Sequence, residues 1–176
     1  MGKSAYNPEI HHRRSIRLPS FDYSSPGPYA VTMCAAGHQP VFEDEALRTI
    51  LEEVWHTLPK QHPGLQLDEF IIMADHIHFI VWLSQDGKHD FTLPDVVRTF
   101  KSLSADMWFN HLKKRGVQGS GSFWQRNYYE HVIRDEADLA EQRTYVRNNP
   151  LKAALLQHER ALARRTQPKP TRKGKG

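Results

Sequence analysis

The sequence predicts an α+β domain, an antiparallel sheet with helices packed on one face. Apolar residues alternate along several short segments, which is typical of strands, and recur every three or four residues along longer ones, which indicates helices. The predicted order is β-α-β-β-α-β-α, and a short turn between the two central strands favours antiparallel pairing. A ferredoxin-like arrangement is the simplest member of this class.

The first half of the predicted domain holds a strand, a helix and a β-hairpin. Residues 29–34 follow a Pro-Gly-Pro turn and are rich in strand-forming types, which predicts the first strand. From residue 44 to residue 58 apolar side chains fall at helical spacing, and Pro59 is predicted to end this helix. Residues 67–73 and 76–83 are predicted as the next two strands, joined by a tight corner.

The second half holds a long helix, a short strand and a final helix. Thr92 and Pro94 have the spacing of an N-cap and a first-turn proline, and one apolar stripe follows them. Residues 130–134 are predicted as a short strand. Residues 135–148 are predicted as a helix that Pro150 ends.

Composition divides the chain into three parts. Residues 1–27 form a basic N-terminal segment, and residues 28–156 contain all the periodic segments. Residues 157–176 form a basic tail that its composition predicts to be disordered.

Charge and cysteine content narrow the function classes. The 176 residues carry a net charge of +4, which permits an anionic partner such as nucleic acid without establishing one. Cys34 is the only cysteine, so an intramolecular disulfide is excluded and a reducing cytoplasm fits. The longest apolar run, residues 79–83, is far shorter than the ~20 residues of a membrane helix. We therefore expect a soluble, cytoplasmic protein.

The His76-Ile77-His78 stretch is a candidate metal site. Residues two apart in a strand project from the same face, so both imidazoles point the same way while Ile77 points toward the helices. Two neighbouring imidazoles can coordinate one divalent cation. Two ordinary half-buried histidines would give the same sequence pattern. A third functional group close to the two imidazoles is needed to support a metal site.

Tyr145 is a candidate for that member. It lies roughly 120° from the apolar stripe that Leu139 and Val146 define on the last helix, and its neighbours one turn away are polar. A phenol beside a cation can attack a phosphodiester and form a covalent intermediate. Asn149, one turn beyond Tyr145, could bring its amide oxygen to the same cation. An amphipathic tyrosine at a helix edge is the alternative reading.

These residues, taken with longer motifs, resemble the REP-associated tyrosine transposases, relatives of the single-tyrosine HUH transposases. The resemblance spans about residues 13–155 and rests on ordered motifs: Arg13-Arg14-Ser-Ile-Arg17-Leu, Asp75-His76-Ile-His78, Phe100-Lys101-Ser102, Trp124-Gln125-Arg126-Asn-Tyr128-Tyr129-Glu130-His131 and Tyr145-Val-Arg-Asn-Asn149-Pro150.

The resemblance implies a ferredoxin-like fold, a metal held by His76 and His78, and Tyr145 as the nucleophile. The implied cofactor is Mg²⁺ or Mn²⁺, and the implied substrate is single-stranded DNA carrying a small hairpin. Asn149 matches the position where insertion-sequence relatives carry a glutamine as third ligand. Members occur as monomers and as dimers, and we favour a monomer that acts at the nucleoid.

Several further residues have types suited to DNA. The candidate phosphate or base contacts are Arg13, Arg14, Arg17, Lys101, Trp124, Gln125 and Arg126. Packing of the loop against the sheet is an equal alternative for Trp124, and solvated surface charge is the default for any single lysine or arginine. Tyr128 and Tyr129 are rival nucleophiles.

Three functions compete at this stage. The first is a DNA strand transferase that acts through a 5′-phosphotyrosine. The second is a domesticated protein that binds hairpin DNA without cutting it. The third is a zinc hydrolase that uses the histidine pair with Asp75 or Glu130 as the acid, and it leaves Tyr145 without a role.

Overall fold

The computed structural model describes residues 21–84, 89–118 and 123–150. Most of the basic N-terminal segment and all of the predicted C-terminal tail lie outside these residues. Two short 3₁₀ turns follow the first strand, and the main elements come in the order β1 (Gly27–Cys34), α1 (Glu45–Gln61), β2 (Leu65–Ile72), β3 (His76–Leu83), α2 (Leu93–Lys114), β4 (Tyr129–Val132) and α3 (136–150).

The four strands form one sheet in the order β2-β3-β1-β4. Every neighbouring pair is antiparallel, and β1 and β3 pair along their whole length from Gly27 opposite Leu83 to Cys34 opposite His76. Since the first and third strands are central and the second and fourth are at the edges, the predicted ferredoxin-like α+β fold is confirmed.

The main core lies between the sheet and the helices α1 and α2. The odd-numbered residues of β3 from Ile77 to Leu83 are fully buried on this side, as the alternation predicts. Trp55 of α1 stacks on Phe70 of β2 at 4.8 Å between ring centroids, and Phe100 of α2 packs on Phe79. Burying each such ring contributes roughly 1.5–3 kcal/mol.

The helix α3 lies on the opposite face of the sheet, where the sequence had placed no helix. A second, smaller cluster joins Leu139 and Val146 of α3 to Ala30, Ile80 and Ile133. The signal for it was present, because residues 79–83 are apolar at every position rather than at alternate ones. A continuously apolar strand is typical of burial on both faces.

Two predicted helix ends differ from the structure. The helix α1 passes through Pro59 and ends at Gln61, where the His62 N–H donates to the Leu58 carbonyl. A proline this close to the end removes only one backbone hydrogen bond, so the last turn still forms. The helix α3 is still helical at Pro150, the last described residue of its segment. The predicted start of α2 is confirmed, because Thr92 and Asp95 form a reciprocal capping box.

Among the described residues, no helix combines the length and the apolar character that a membrane crossing requires.

Candidate active site

The two histidines of β3 lie side by side on the face that α3 covers. Their ring centroids are 4.7 Å apart, and the ring planes are nearly perpendicular. His78 is buried, with 5% of its surface exposed, whereas the His76 side chain is partly open to solvent. Both side chains therefore point the same way, as strand geometry predicts.

Each imidazole is oriented by a hydrogen bond at its Nδ1 atom. His76 Nδ1 lies 2.6 Å from Asp75 Oδ1, and His78 Nδ1 lies 2.7 Å from the hydroxyl oxygen of Thr32, its register partner on β1. With Nδ1 occupied, Nε2 of each ring is the atom left to bind something else. The Nε2 atom of His78 is buried and makes no hydrogen bond to any described residue.

The electrostatics of His78 favour a neutral imidazole. Burial, together with the nearby His76, lowers the pKa of His78 to about 4, so this ring is neutral at physiological pH. Burial alone would raise the pKa of Asp75, but hydrogen bonds from His76 and His38 outweigh it and hold that pKa below its usual value. A neutral imidazole beside an ionised carboxylate is the form that binds a metal cation.

Tyr145 of α3 packs directly against His78 of this pair. Its ring meets the His78 ring edge to face, with 5.3 Å between the centroids. The tyrosine remains 44% exposed, because Leu139 and Val146 supply the buried stripe of the helix and Tyr145 lies on its flank. The structure thus brings a strand and a helix that are about seventy residues apart to one point.

A cavity of about 110 Å³ adjoins the phenol and the imidazole. It lies between β1, β4 and α3, and its walls include Thr32, His78, Tyr129, Gln142 and Tyr145. A small polar group in this space would contact both the tyrosine and the histidine.

Asn149 is placed one turn beyond Tyr145 on the same flank of α3. Its amide nitrogen is buried and has no hydrogen-bond partner among the described residues. A half-turn of the amide would exchange that nitrogen for the oxygen, which is the atom a cation requires.

The donor set fits a metal held by two imidazoles and completed by another type of ligand. No cluster of three His, Cys, Asp or Glu side chains suited to a metal occurs within residues 21–84, 89–118 and 123–150. A third ligand would therefore be the amide oxygen of Asn149, water or an oxygen of the substrate.

The predicted DNA-contacting residues separate into different environments. Trp124 is 4% exposed and donates from Nε1 to the buried Ser104 hydroxyl, so its ring packs in the core and is not placed to stack on a base. The Lys101 ammonium donates to three consecutive carbonyls, those of residues 125–127, and so holds this loop. The first finding favours the packing alternative for Trp124, and the second gives Lys101 an internal contact in place of the solvated charge considered for it.

Gln125 and Arg126 remain candidates for DNA contact. They line a groove of about 580 Å³ beside α2, and Arg126 is exposed. Arg13, Arg14 and Arg17 lie outside the described residues.

The two rival tyrosines differ in their surroundings. Tyr128 is 5% exposed and lies in the main core. Tyr129 is 59% exposed and is the register partner of Thr32 on β4, so it lies on the same face as His78 with one strand between them. Of these three tyrosines, Tyr145 is the one whose ring makes an edge-to-face contact with an imidazole of the pair.

Thr32 and its orienting role were missed by sequence reasoning. Its pairing with His78 depends on the register of β1 against β3, which local patterns do not reveal. Asp75 was considered only as a hydrolytic acid. Its position directly before the His-x-His stretch was the available signal for a carboxylate that orients His76.

Known proteins provide a family context for this geometry. The family model for IS200-like transposases matches residues 26–149. An uncharacterized protein of Haemophilus influenzae is 32% identical over 166 residues, which cover 83% of this chain and 92% of that protein. A second Haemophilus influenzae protein, named as a candidate REP-associated tyrosine transposase, is 30% identical over 104 residues, which cover 52% of this chain and 53% of its own length.

One solved structure resembles the fold over most of the described chain. It is a REP-associated tyrosine transposase bound to a REP hairpin, and it matches with a TM-score of 0.58 at 16% identity. The match covers 78% of this chain and 74% of that one. At this level of identity the likeness concerns the fold.

Proposed function

This chain belongs to the IS200-like transposase family, and from that premise we propose that it cuts single-stranded DNA beside a hairpin and becomes joined to the cut end through Tyr145. The observation that carries the proposal is the contact of the Tyr145 ring with His78 in the oriented histidine pair. The ring lies outside the apolar stripe of α3, so burial in that stripe does not account for its position.

The proposed step is a phosphoryl transfer to the phenol. The Tyr145 oxygen forms a bond to phosphorus, and the bond between phosphorus and the 3′ oxygen of the preceding nucleotide breaks. Overall the phenol proton ends on that 3′ oxygen, which leaves a free 3′ hydroxyl and a 5′-phosphotyrosine. The phosphotyrosine bond retains the free energy of the broken phosphodiester. A DNA hydroxyl can therefore attack it and rejoin or transfer the strand without a nucleotide cofactor.

The proposed cofactor is a divalent cation, Mg²⁺ or Mn²⁺. His76 and His78 would hold it through Nε2, with Asn149 as the candidate third ligand. When bound, such an ion polarises a non-bridging phosphate oxygen and stabilises the charge that develops there. Imidazole suits Mn²⁺ better than Mg²⁺, but oxygens of the DNA would supply the ligands that Mg²⁺ prefers.

The proposed substrate follows from the family and from the groove beside α2. A structural relative is bound to a REP hairpin, and we propose the same class of DNA here. Gln125 and the exposed Arg126 would contact its backbone, with Arg13, Arg14 and Arg17 as further candidates. Because one chain supplies both the histidines and the tyrosine, we propose a monomer that acts on DNA at the nucleoid.

The zinc hydrolase alternative is weakened by the contacts of its candidate acids. Asp75 is hydrogen-bonded to His76 and His38, so it orients imidazoles rather than activating a water. Glu130 accepts a hydrogen bond from the Tyr23 hydroxyl at 2.5 Å, on a strand position paired with the core residue Val31.

A denaturing gel tests the proposal. The protein is incubated with 5′- or 3′-labelled hairpin-bearing single strands and Mn²⁺ or Mg²⁺. We expect a protein-linked DNA band that disappears in Tyr145→Phe and persists in the matched control Tyr129→Phe. Both variants should retain hairpin binding. Binding without any adduct would favour the domesticated protein, cleavage with free ends would favour the hydrolase, and an adduct that survives in Tyr145→Phe would overturn the assignment of the nucleophile.

A further inference from the structure

The edge strand β2 contains a bulge where two acidic residues replace the expected alternation. Leu67 pairs with Val81 and Phe70 pairs with Phe79, so Asp68 and Glu69 together stand opposite the single residue Ile80. In a regular strand one of these two side chains would point into the main core. The bulge turns both toward the face that carries α3, and bulges commonly re-aim side chains next to active sites.

Both carboxylates bind arginines of α3. The single N–H at Nε of Arg143 is shared between the two carboxylate oxygens of Asp68, at 3.0 and 3.1 Å, and Nη2 donates a second hydrogen bond at 2.5 Å. The mostly buried Asp68 also accepts a bond from the Trp82 indole at 2.9 Å. Arg147, one turn further along, donates to Glu69 from Nε at 2.9 Å.

The contacts in this cluster favour the charged forms of Asp68, Arg143 and Arg147. Burial alone would raise the pKa of Asp68, but hydrogen bonds from Arg143 and Trp82 outweigh it and keep that pKa below its usual value. The hydrogen bonds that Arg143 and Arg147 donate to Asp68 and Glu69, respectively, raise the pKa values of these two arginines. Multidentate pairs between arginine and carboxylate add geometric specificity as well as energy.

The arginines and the tyrosine lie on opposite flanks of α3. At about 100° per residue, the buried stripe of Val146 separates Arg143 and Arg147 on one flank from Tyr145 on the other. The arginines reach the edge strand β2, whereas the tyrosine reaches His78 on β3. Within the described part of α3, residues 136–150, Leu139 and Val146 are the buried apolar residues that hold the helix to the sheet, so contacts on one flank can affect how it is rotated about its own axis.

A small rotation of this kind is enough to misplace the phenol. Side-chain tips lie about 5–6 Å from a helix axis, so a roll of about 10° moves them by about 1 Å. A displacement of about 1 Å in a reacting group can reduce a rate by about a hundredfold.

We propose that Asp68 and Glu69 are positioning residues that set the rotation of α3 through Arg143 and Arg147, and so hold Tyr145 against His78 for attack. This inference rests on the proposed function of Tyr145. On this proposal, the β2 bulge fixes where the nucleophile of the same chain lies.

The more exposed pair permits a charge-exchange experiment. The variants are Glu69→Arg, Arg147→Glu and the double exchange, with Asp68→Asn as a probe of the buried pair. Lys114→Glu is the matched control, since it makes the same charge change as Arg147→Glu at the exposed end of α2, on the other face of the sheet. Three properties are measured for each: the rate of adduct formation at saturating DNA, the affinity for the hairpin, and amide hydrogen exchange.

We expect each single reversal to slow adduct formation by about tenfold or more, because the phenol is misplaced. Hairpin affinity should stay close to wild type, and amides of α3 should exchange faster while those of β3 do not. The double exchange should recover both the rate and the protection of α3, and Lys114→Glu should match wild type. If the ion pairs only stabilised the fold, the single variants would exchange faster but, while folded and bound to DNA, would form the adduct at the wild-type rate.

Two results would overturn the proposal: single reversals that keep the wild-type rate and exchange, or a double exchange that recovers neither. A wild-type protein that forms no adduct at all would instead refute the proposed function. In that case hydrogen exchange would still test whether the ion pairs fix α3 on the sheet: faster exchange in the single variants with recovery in the double supports this step, and unchanged exchange contradicts it.

Discussion

Replacing Thr32 with valine should weaken metal binding at the histidine pair without removing either ligand. The variant keeps the shape and strand preference of the side chain but removes the hydroxyl that lies 2.7 Å from His78 Nδ1. Since His78 is buried, its Nδ1 atom would lose its partner, at a cost of about 1–3 kcal/mol in the free energy of unfolding. Loss of such an orienting group reduces metal affinity by about 10–100-fold.

The two magnitudes agree with each other. A 10–100-fold change in affinity corresponds to about 1.4–2.8 kcal/mol, which is the range expected for one buried hydrogen bond. Isothermal titration of the DNA-free protein with Mn²⁺ at neutral pH measures the affinity, and urea denaturation measures the stability. Thr49→Val is the matched control, because Thr49 lies on α1 at the far face of the sheet and bonds only its own helix in the described structure. Wild-type Mn²⁺ affinity in Thr32→Val would refute the role assigned to this hydroxyl.

Three further predictions concern the packing and the surroundings of the site. Trp124→Ala should lower the free energy of unfolding by about 3–5 kcal/mol in urea denaturation, because the buried ring leaves a cavity and Ser104 loses its donor; a small loss would show that the ring is not packed. Lys101→Met should speed proteolysis of the loop at residues 125–127, whose carbonyls lose a shared cation, and unchanged cleavage would contradict that role. Burial raises the pKa of Tyr29 to about 12. The protonated phenol should therefore contribute to the free energy of unfolding below pH ~10, and this contribution should be lost as pH rises through ~12. Thermal denaturation at alkaline pH should show no such dependence in Tyr29→Phe.

The fold was largely predictable because its determinants are local. Alternation in β3, the helical spacing in α1 and the capping box of Thr92 with Asp95 each depend on neighbouring residues. The resemblance to REP-associated tyrosine transposases is likewise confirmed by the family match and a homologue so named.

The part that could not be predicted depends on pairings between distant segments. Thr32 meets His78 only through the register of β1 with β3, and Asp68 meets Arg143 across 75 positions of sequence. The sequence did carry a signal that β3 is buried on both faces, its unbroken apolar run, but not that α3 covers the second face, which depends on the packing of Ile80 and Ala30 against Val146. The adjacent acids in β2 did break the alternation, and that break is the local trace of the bulge.

Trp124 illustrates a different limit. A tryptophan beside glutamine and arginine has the composition of a nucleic-acid contact, and the same ring suits a core. The choice depends on whether a partner for its N–H lies inside, and Ser104 on α2 provides one. Residue type alone carries no information about that partner.

Mass spectrometry of the DNA-linked peptide tests most directly whether a phenol and two imidazoles form one reacting centre. The adduct formed on hairpin DNA is digested with trypsin and nuclease, and the residue that carries the nucleotide remnant is identified by fragmentation. We expect the remnant on Tyr145, within the short peptide 144–147, and its yield should fall when His76 and His78 are replaced by alanine. A remnant on Tyr129, or a Tyr145 adduct that is indifferent to the loss of both histidines, would contradict the account.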